Sequence, residues 1–307
     1  MPIPRPLRGI VTPLLTPLNS PDELDIPSLE RLIDHVIEGG VSGIFVLGTS
    51  GEGPSLSGRA QRQLIDASVR LADGRVPVLV GITHASFEES LLLARHAAQA
   101  DADAVVTAGP LYSPVDQNQL AAYIRRLADA SPLPVFLYNM PSHAHVFFDV
   151  PTVAKAASHG NIHGLKDSSG QIMYLHELHL KLEKHPDFTL LVGPEQMMPE
   201  CILFGIHGGV NGGSNLFPKL YVDLYRYAHE GDVGNARFLQ EQVMEIAMNL
   251  YSGSANESGY LQGAKCAASH LGLMKNVLAS PYSPLGAEAS TEIRSYLVKL
   301  GAIFGES

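Results

Sequence analysis

Before residue 230 the chain alternates a short β-branched run with a longer amphipathic stretch about eight times, and few architectures accommodate that many βα repeats. The natural one is a closed ring of parallel strands wrapped by helices. The strand candidates are Ile10-Val11-Thr12, Gly43 to Leu47, Val78 to Gly81, Ala104 to Thr107, Val135 to Tyr138, Ile162 to Lys166, Thr189 to Val192 and Gly208 to Val210. They are continuous apolar runs, the pattern of strands covered on both faces. Between them, Leu29, Leu32, Ile33, Val36 and Ile37 recur with the period of a helix that buries one stripe. Leu91, Leu92, Ala94, Arg95 and Ala98 form a similar segment, opened by Ser86 as N-cap before Glu88 and Glu89. An open doubly wound sheet is the competing architecture, but the first strand-to-helix turn lacks the GxGxxG that such folds use for dinucleotides. The fold class is therefore α/β, a (β/α)8 TIM barrel. Beyond residue 230 the strand signals stop, and Val233 to Leu250, Gly259 to Leu271 and Glu288 to Leu300 read as helices. The expected division is a barrel over 1–230 carrying the active site and a C-terminal helical region over 231–307.

Charge and composition narrow the function. A formal charge of −10, from 31 acids against 21 bases spread along 307 residues, offers no basic stripe to nucleic acid. Nowhere do about 18 apolar residues run together, and Met1-Pro2-Ile3-Pro4-Arg5-Pro6 is unlike a secretory h-region, so the expectation is a cytoplasmic protein without a membrane partner. Cys201 and Cys266 lie far apart without a CxxC, and buried free thiols fit that compartment. No cofactor and no metal are called for. His176-Glu177-Leu178-His179 misses HExxH spacing by one residue and reads as a solvated helix face. Asn256-Glu257-Ser258 is a formal glycosylation sequon without a signal peptide to bring it to the machinery.

In a barrel of this kind chemistry sits on the loops after the carboxyl ends of strands. Lys166 is the one lysine of eight that stands at such an end, with Ile162 and Leu165 before it and Asp167-Ser168-Ser169-Gly170 after it. Partial withdrawal from water there would disfavour the ammonium form and leave an amine able to condense with a ketone. The same position also suits a snorkelling surface lysine, and the residue alone leaves both open. The second strand runs into Gly48-Thr49-Ser50-Gly51-Glu52-Gly53-Pro54, whose backbone N–H groups and two hydroxyls suit a carboxylate. It lacks the lysine of a phosphate-binding GxxxxGK. The fifth strand ends in Tyr138-Asn139-Met140-Pro141, beside the sixth in a singly ordered barrel, so a phenol can stand near the amine and move protons. Tyr112, in Gly109-Pro110-Leu111-Tyr112-Ser113-Pro114, offers a second phenol.

From about Gly9 to the C-terminal helices the chain resembles the dihydrodipicolinate synthase and N-acetylneuraminate lyase family of Schiff-base aldolases. Four segments coincide in order and spacing: Gly48 to Glu52 with the family's GTTGE or GSTGE loop, Tyr138 to Pro141 with its YNxP, Gly164 to Ser168 with its GxK segment, and Gly208 to Asn215 with its eighth-strand loop. The resemblance implies that Lys166 forms an imine with pyruvate or another 2-oxo acid, that Tyr138 relays protons, and that Thr49 and Ser50 hold the carboxylate beside Gly48. It implies that Tyr112 enters a neighbouring subunit's site in a homotetramer of tight dimers, and that Gly193 and Val210 line the pocket with backbone. One departure stands out. Where the synthase branch has an arginine five residues after the tyrosine, this chain has His143, which cannot form a bidentate guanidinium fork. The expectation is thus a pyruvate-releasing aldolase acting on a 2-keto-3-deoxy sugar acid or 4-hydroxy-2-oxoglutarate. The alternatives are synthesis of dihydrodipicolinate from pyruvate and aspartate semialdehyde, or a barrel that binds 2-oxo acids without turnover.

Overall fold

The computed structural model describes residues 3–251 and 259–304, so the sequon lies outside the described residues. Eight parallel strands close a barrel in sequence order: β1 (Gly9–Pro13), β2 (Gly43–Val46), β3 (Val78–Gly81), β4 (Ala104–Thr107), β5 (Val135–Asn139), β6 (Ile162–Asp167), β7 (Thr189–Val192) and β8 (Gly208–Gly209), which returns to β1. Every expected strand is present. A small antiparallel hairpin, Leu18–Ser20 with Glu23–Leu24, follows β1 and had no counterpart in the sequence reading.

Alternation along each strand divides the core in two, because successive side chains point to opposite faces. Phe45, Leu79, Val106, Phe136, Tyr138, Leu191 and Val210 pack together inside the ring, while Ile44, Val46, Leu137 and Leu165 join the larger cluster under the helices. Leu165 belongs to the outer layer, so Lys166, one residue on, faces inward. The ring closes at its shortest strand. A side chain on Gly208 would lie 2.1 Å from the carbonyl oxygen of Gly9, so only glycine lets β8 approach β1 closely enough to pair.

The helices form where their apolar stripes meet this outer layer. Leu29, Leu32, Ile33 and Val36 are the buried face of the helix Ile26–Glu38. Ser86 caps Phe87–Gln99, its hydroxyl accepting from the Glu89 N–H at 3.4 Å, as the sequence implied. Val233–Leu250, Gly259–His270 and Ala287–Phe304 follow Pro218–Glu230, the last four residues longer at its C-terminal end than the periodicity suggested. No helix among the described residues is long and apolar enough to cross a membrane. Cys201 and Cys266 are free and buried. His176 and His179 differ from expectation: they are half-buried, with His176 tilted on Phe204 at 5.0 Å and the His179 ring against Gly205.

Candidate active site

Strand register sets the central pair. Tyr138 and Lys166 are direct partners across β5 and β6, and both side chains turn into the barrel. The Lys166 Nζ lies 4.1 Å from the centre of the Tyr138 ring and 5.4 Å from that of Phe45, with 7% of the residue exposed. Ring faces carry negative charge density, so this box holds either an ammonium or the iminium that replaces it. The next pair in register, Asn139 and Asp167, points the other way. The Asn139 amide donates to Asp167 at 2.7 Å and its oxygen accepts from the Phe148 N–H at 3.1 Å, tying the strand ends to the following loop. Burial pushes the Asp167 carboxyl above its usual range, opposed by the Asn139 amide, the Ser169 hydroxyl and N–H, and Lys166.

The turn after β2 supplies the second half. Leu47 and Glu52 bracket it with left-handed backbone, at φ 58° and 55°. A Cβ on Gly48 would stand 2.7 Å from the Phe45 ring, so the turn can lie flat on that ring only with glycine there. Thr49 Oγ1 is 3.2 Å from the Tyr138 hydroxyl, and Ser50 Oγ is 3.0 Å from the Tyr260 hydroxyl. Above them opens a cavity of about 200 Å³, whose wall includes Gly48, Thr49, Tyr138 and His143. Phe45 and Tyr138 form its inner end, and the Lys166 amine lies over both rings.

The remaining expected residues divide. Val210 is buried in the inward cluster with Tyr138 and Leu191. The Gly193 N–H donates to the Asp167 carbonyl at 2.7 Å, fixing the backbone just past Lys166. His143 sits exposed on the short helix Pro141–Ala144, its Nδ1 2.9 Å from the Ser142 hydroxyl, and borders the cavity. Tyr112 is not brought to the others within the chain: it stands 95% exposed on a left-handed residue of its loop.

Several residues of the site had no sequence signal. Tyr260 and Lys265 come from Gly259–His270, far outside the barrel repeats. Lys265 forms a fully buried ion pair with Glu52 and donates to the Val277 carbonyl at 2.7 Å, while the second Glu52 oxygen accepts from the Ala279 N–H at 2.7 Å. Burial pulls the Lys265 ammonium below its usual value, and Glu52 opposes that pull. Thr83, Ser55 and Tyr282 complete the polar wall. Glu52 was visible as the last letter of a motif, but its partner lay more than 200 residues away. Among the described residues no cluster of three metal-ligating side chains exists.

Behind Ser50 lies a buried acid. Glu195 Oε2 accepts from the Gly213 N–H at 3.0 Å, with Tyr221, Tyr251 and Tyr260 around it, and burial raises its carboxyl to about 7 against the Gly213 N–H and Tyr221. The unfolded chain, with a carboxyl near 4.5, gives up that proton first, so stability falls as pH rises from 4.5 through 7. The loss is on the order of 3 kcal/mol over that window. Glu195→Gln is expected to remove this component, seen as a stability difference between variant and parent that grows from pH 4.5 to 7.5 in urea titrations. A constant difference would contradict it.

Comparison with known proteins completes the description. A model of the dihydrodipicolinate synthetase family matches residues 6–300. The structure of dihydrodipicolinate synthase from Bacteroides thetaiotaomicron superposes with a TM-score of 0.93 and 44% identity, covering 97% of this chain and 100% of that one. A 4-hydroxy-tetrahydrodipicolinate synthase of Gluconacetobacter diazotrophicus is 30% identical over 296 residues, 96% of this chain and 98% of the relative. YagE of Escherichia coli K12, provisionally named a 2-dehydro-3-deoxy-D-gluconate aldolase, is 33% identical over 241 residues, 78% of this chain and 80% of its own. The structure of YagE in complex with pyruvate superposes with a TM-score of 0.89 at 30% identity, covering 95% of this chain and 98% of that one.

Proposed function

The chain belongs to the dihydrodipicolinate synthetase family of lyases and synthases, and on that premise we propose that it is a class I aldolase cleaving a 2-keto-3-deoxy sugar acid to pyruvate and an aldehyde. The observation that carries this reading is the Lys166 amine, buried inside the barrel over the Tyr138 ring. In the proposed cycle the Lys166 Nζ attacks the C2 ketone, water leaves, and an iminium remains. The Gly48-Thr49-Ser50 turn holds the substrate carboxylate through its hydroxyls and N–H groups. Tyr138, in hydrogen-bond contact with Thr49, gives its phenol proton to the departing water and, as the phenolate so formed, takes the proton of the C4 hydroxyl. The C3–C4 bond then breaks, its electrons pass to the iminium nitrogen as an enamine forms, and the aldehyde departs. Protonation at C3 and hydrolysis of the imine return pyruvate and the free amine. Gly193 and Val210 contribute backbone around the inner end. We also assign the protein to the cytoplasm, and to a homotetramer in which Tyr112 reaches a neighbouring subunit's site.

The wall of the cavity supports the sugar-acid half of this reading. Among the described residues that line it, the charged side chain is Glu52, already paired with Lys265, and no arginine is present. A second carboxylate, as in 4-hydroxy-2-oxoglutarate or aspartate semialdehyde, would find no guanidinium fork there. Hydroxyls would find Ser55, Thr83, His143 and Tyr282. The name of YagE points to the same substrate class. The names of the Bacteroides and Gluconacetobacter relatives favour the second reading, condensation of pyruvate with aspartate semialdehyde.

Borohydride reduction in the presence of pyruvate tests the reading. The expected result is a covalent mass increase mapping to Lys166, together with pyruvate release from keto-deoxy sugar acids. No adduct at saturating pyruvate would overturn the imine chemistry, and a pyruvate-induced thermal shift without turnover would then mark a binding barrel. Turnover confined to pyruvate plus aspartate semialdehyde would instead select the synthase.

A further inference from the structure

One wall of the cavity does not belong to the barrel loops. Its other lining residues fall between Phe45 and Ala144, whereas Tyr282 arrives from the segment after Gly259–His270. That segment is pinned on both sides of the tyrosine. Upstream, the Ala279 N–H donates to Glu52 and the Val277 carbonyl accepts from Lys265, both at 2.7 Å, and the Tyr282 N–H closes a turn onto Ala279 at 3.0 Å. Downstream, the Gln262 amide donates to the Ser283 carbonyl at 2.7 Å. Gln262 and Lys265 stand three apart on one helix and so share a face. The buried pair thus serves two parts of the site at once, since Glu52 also belongs to the turn that carries Thr49 and Ser50. Two ionic groups withdrawn from water are costly to retain, and a pair that only cemented the fold could be replaced by apolar side chains at little loss.

We propose that Tyr282 is a specificity-determining residue that reads the hydroxylated aldehyde half of the substrate, and that the Glu52–Lys265 pair and Gln262 are positioning residues that hold it at the cavity wall. A phenol fits this task. Its face packs on the C–H edges of a sugar chain while its hydroxyl exchanges hydrogen bonds with the substrate's own, and it offers no fixed charge to a second carboxylate. The inference rests on the aldolase reading of the same site.

Steady-state cleavage of a keto-deoxy sugar acid by Tyr282→Phe and Tyr282→Ala, alongside pyruvate trapping on Lys166, tests it. The expected result is a KM raised about tenfold or more, with kcat changed less than about threefold. A KM within twofold of the parent in both variants, with the pyruvate adduct intact, would overturn the role of Tyr282 while leaving the aldolase standing. Absence of the adduct in the parent would remove both. For the positioning residues, Glu52→Gln combined with Lys265→Met is expected to raise KM similarly, and adding Tyr282→Phe to add less than about twofold. Gln262→Ala, which removes one amide from a helix surface, is expected to raise KM about threefold in the parent and not at all in Tyr282→Phe, and it gives the same test should the double variant fail to fold. Effects that multiply independently in these cycles would overturn the positioning role.

Discussion

Lys166→Ala is expected to lower kcat for aldol cleavage by about 10⁴-fold or more and to abolish the pyruvate adduct under borohydride. The size follows from what the amine does. Without an imine, the electrons of the breaking C3–C4 bond must collect on a ketone oxygen with no covalent electron sink, and the carboxylate-holding turn and Tyr138 retain only their positioning contribution. A structural explanation of the loss is separable. Lys166 is inside a ring whose apolar packing comes from Phe45, Phe136, Leu191 and their neighbours, so the variant should keep its circular dichroism spectrum and lose little in thermal midpoint. A folded variant retaining more than a tenth of the parent's kcat would exclude the imine mechanism.

Tyr138→Phe should cost less, about 10²- to 10⁴-fold in kcat, the range of a single general acid–base group. The substitution removes one oxygen and keeps the ring. The edge contact with Phe45, at 6.2 Å and 85° between planes, survives, as does the face beneath the Lys166 amine. Imine trapping should therefore persist at a reduced rate, with KM changed only a few-fold, and Thr49 loses the partner 3.2 Å away. Rapid-quench trapping at several pH values distinguishes the effects. Unchanged kcat, or an adduct lost altogether, would contradict a proton-relay role.

What the sequence disclosed and what it hid follow from the range of the forces involved. The strands were legible because a parallel strand buried on both faces is written as an uninterrupted apolar run, and the nearness of Tyr138 to Lys166 followed from their places at the ends of two neighbouring strands, whereas their direct register is seen only in the structure. The helical C-terminus was legible from period, but period reports which face is buried and not against what. Lys265 shows the limit. By its residue type it belongs in water, and it lies at 0% exposure only because Glu52, on a turn 213 residues earlier, meets it there. Tyr260 and Tyr282 were hidden for the same reason. His143 was singled out by comparison with a motif, and the structure places it at the border of the cavity.

The seam at β8 has a consequence for how such a chain comes off the ribosome. Its two residue pairs with β1 are fastened by the Ser214 hydroxyl on Thr12 and the Asn215 amide on the Pro13 carbonyl, both spanning 202 residues. During synthesis the first strand therefore waits, half-paired and with one open edge, until two-thirds of the protein has been made. Such an edge invites association with other nascent chains, and the hydrogen bonds at Ser214 and Asn215 are what finally retire it.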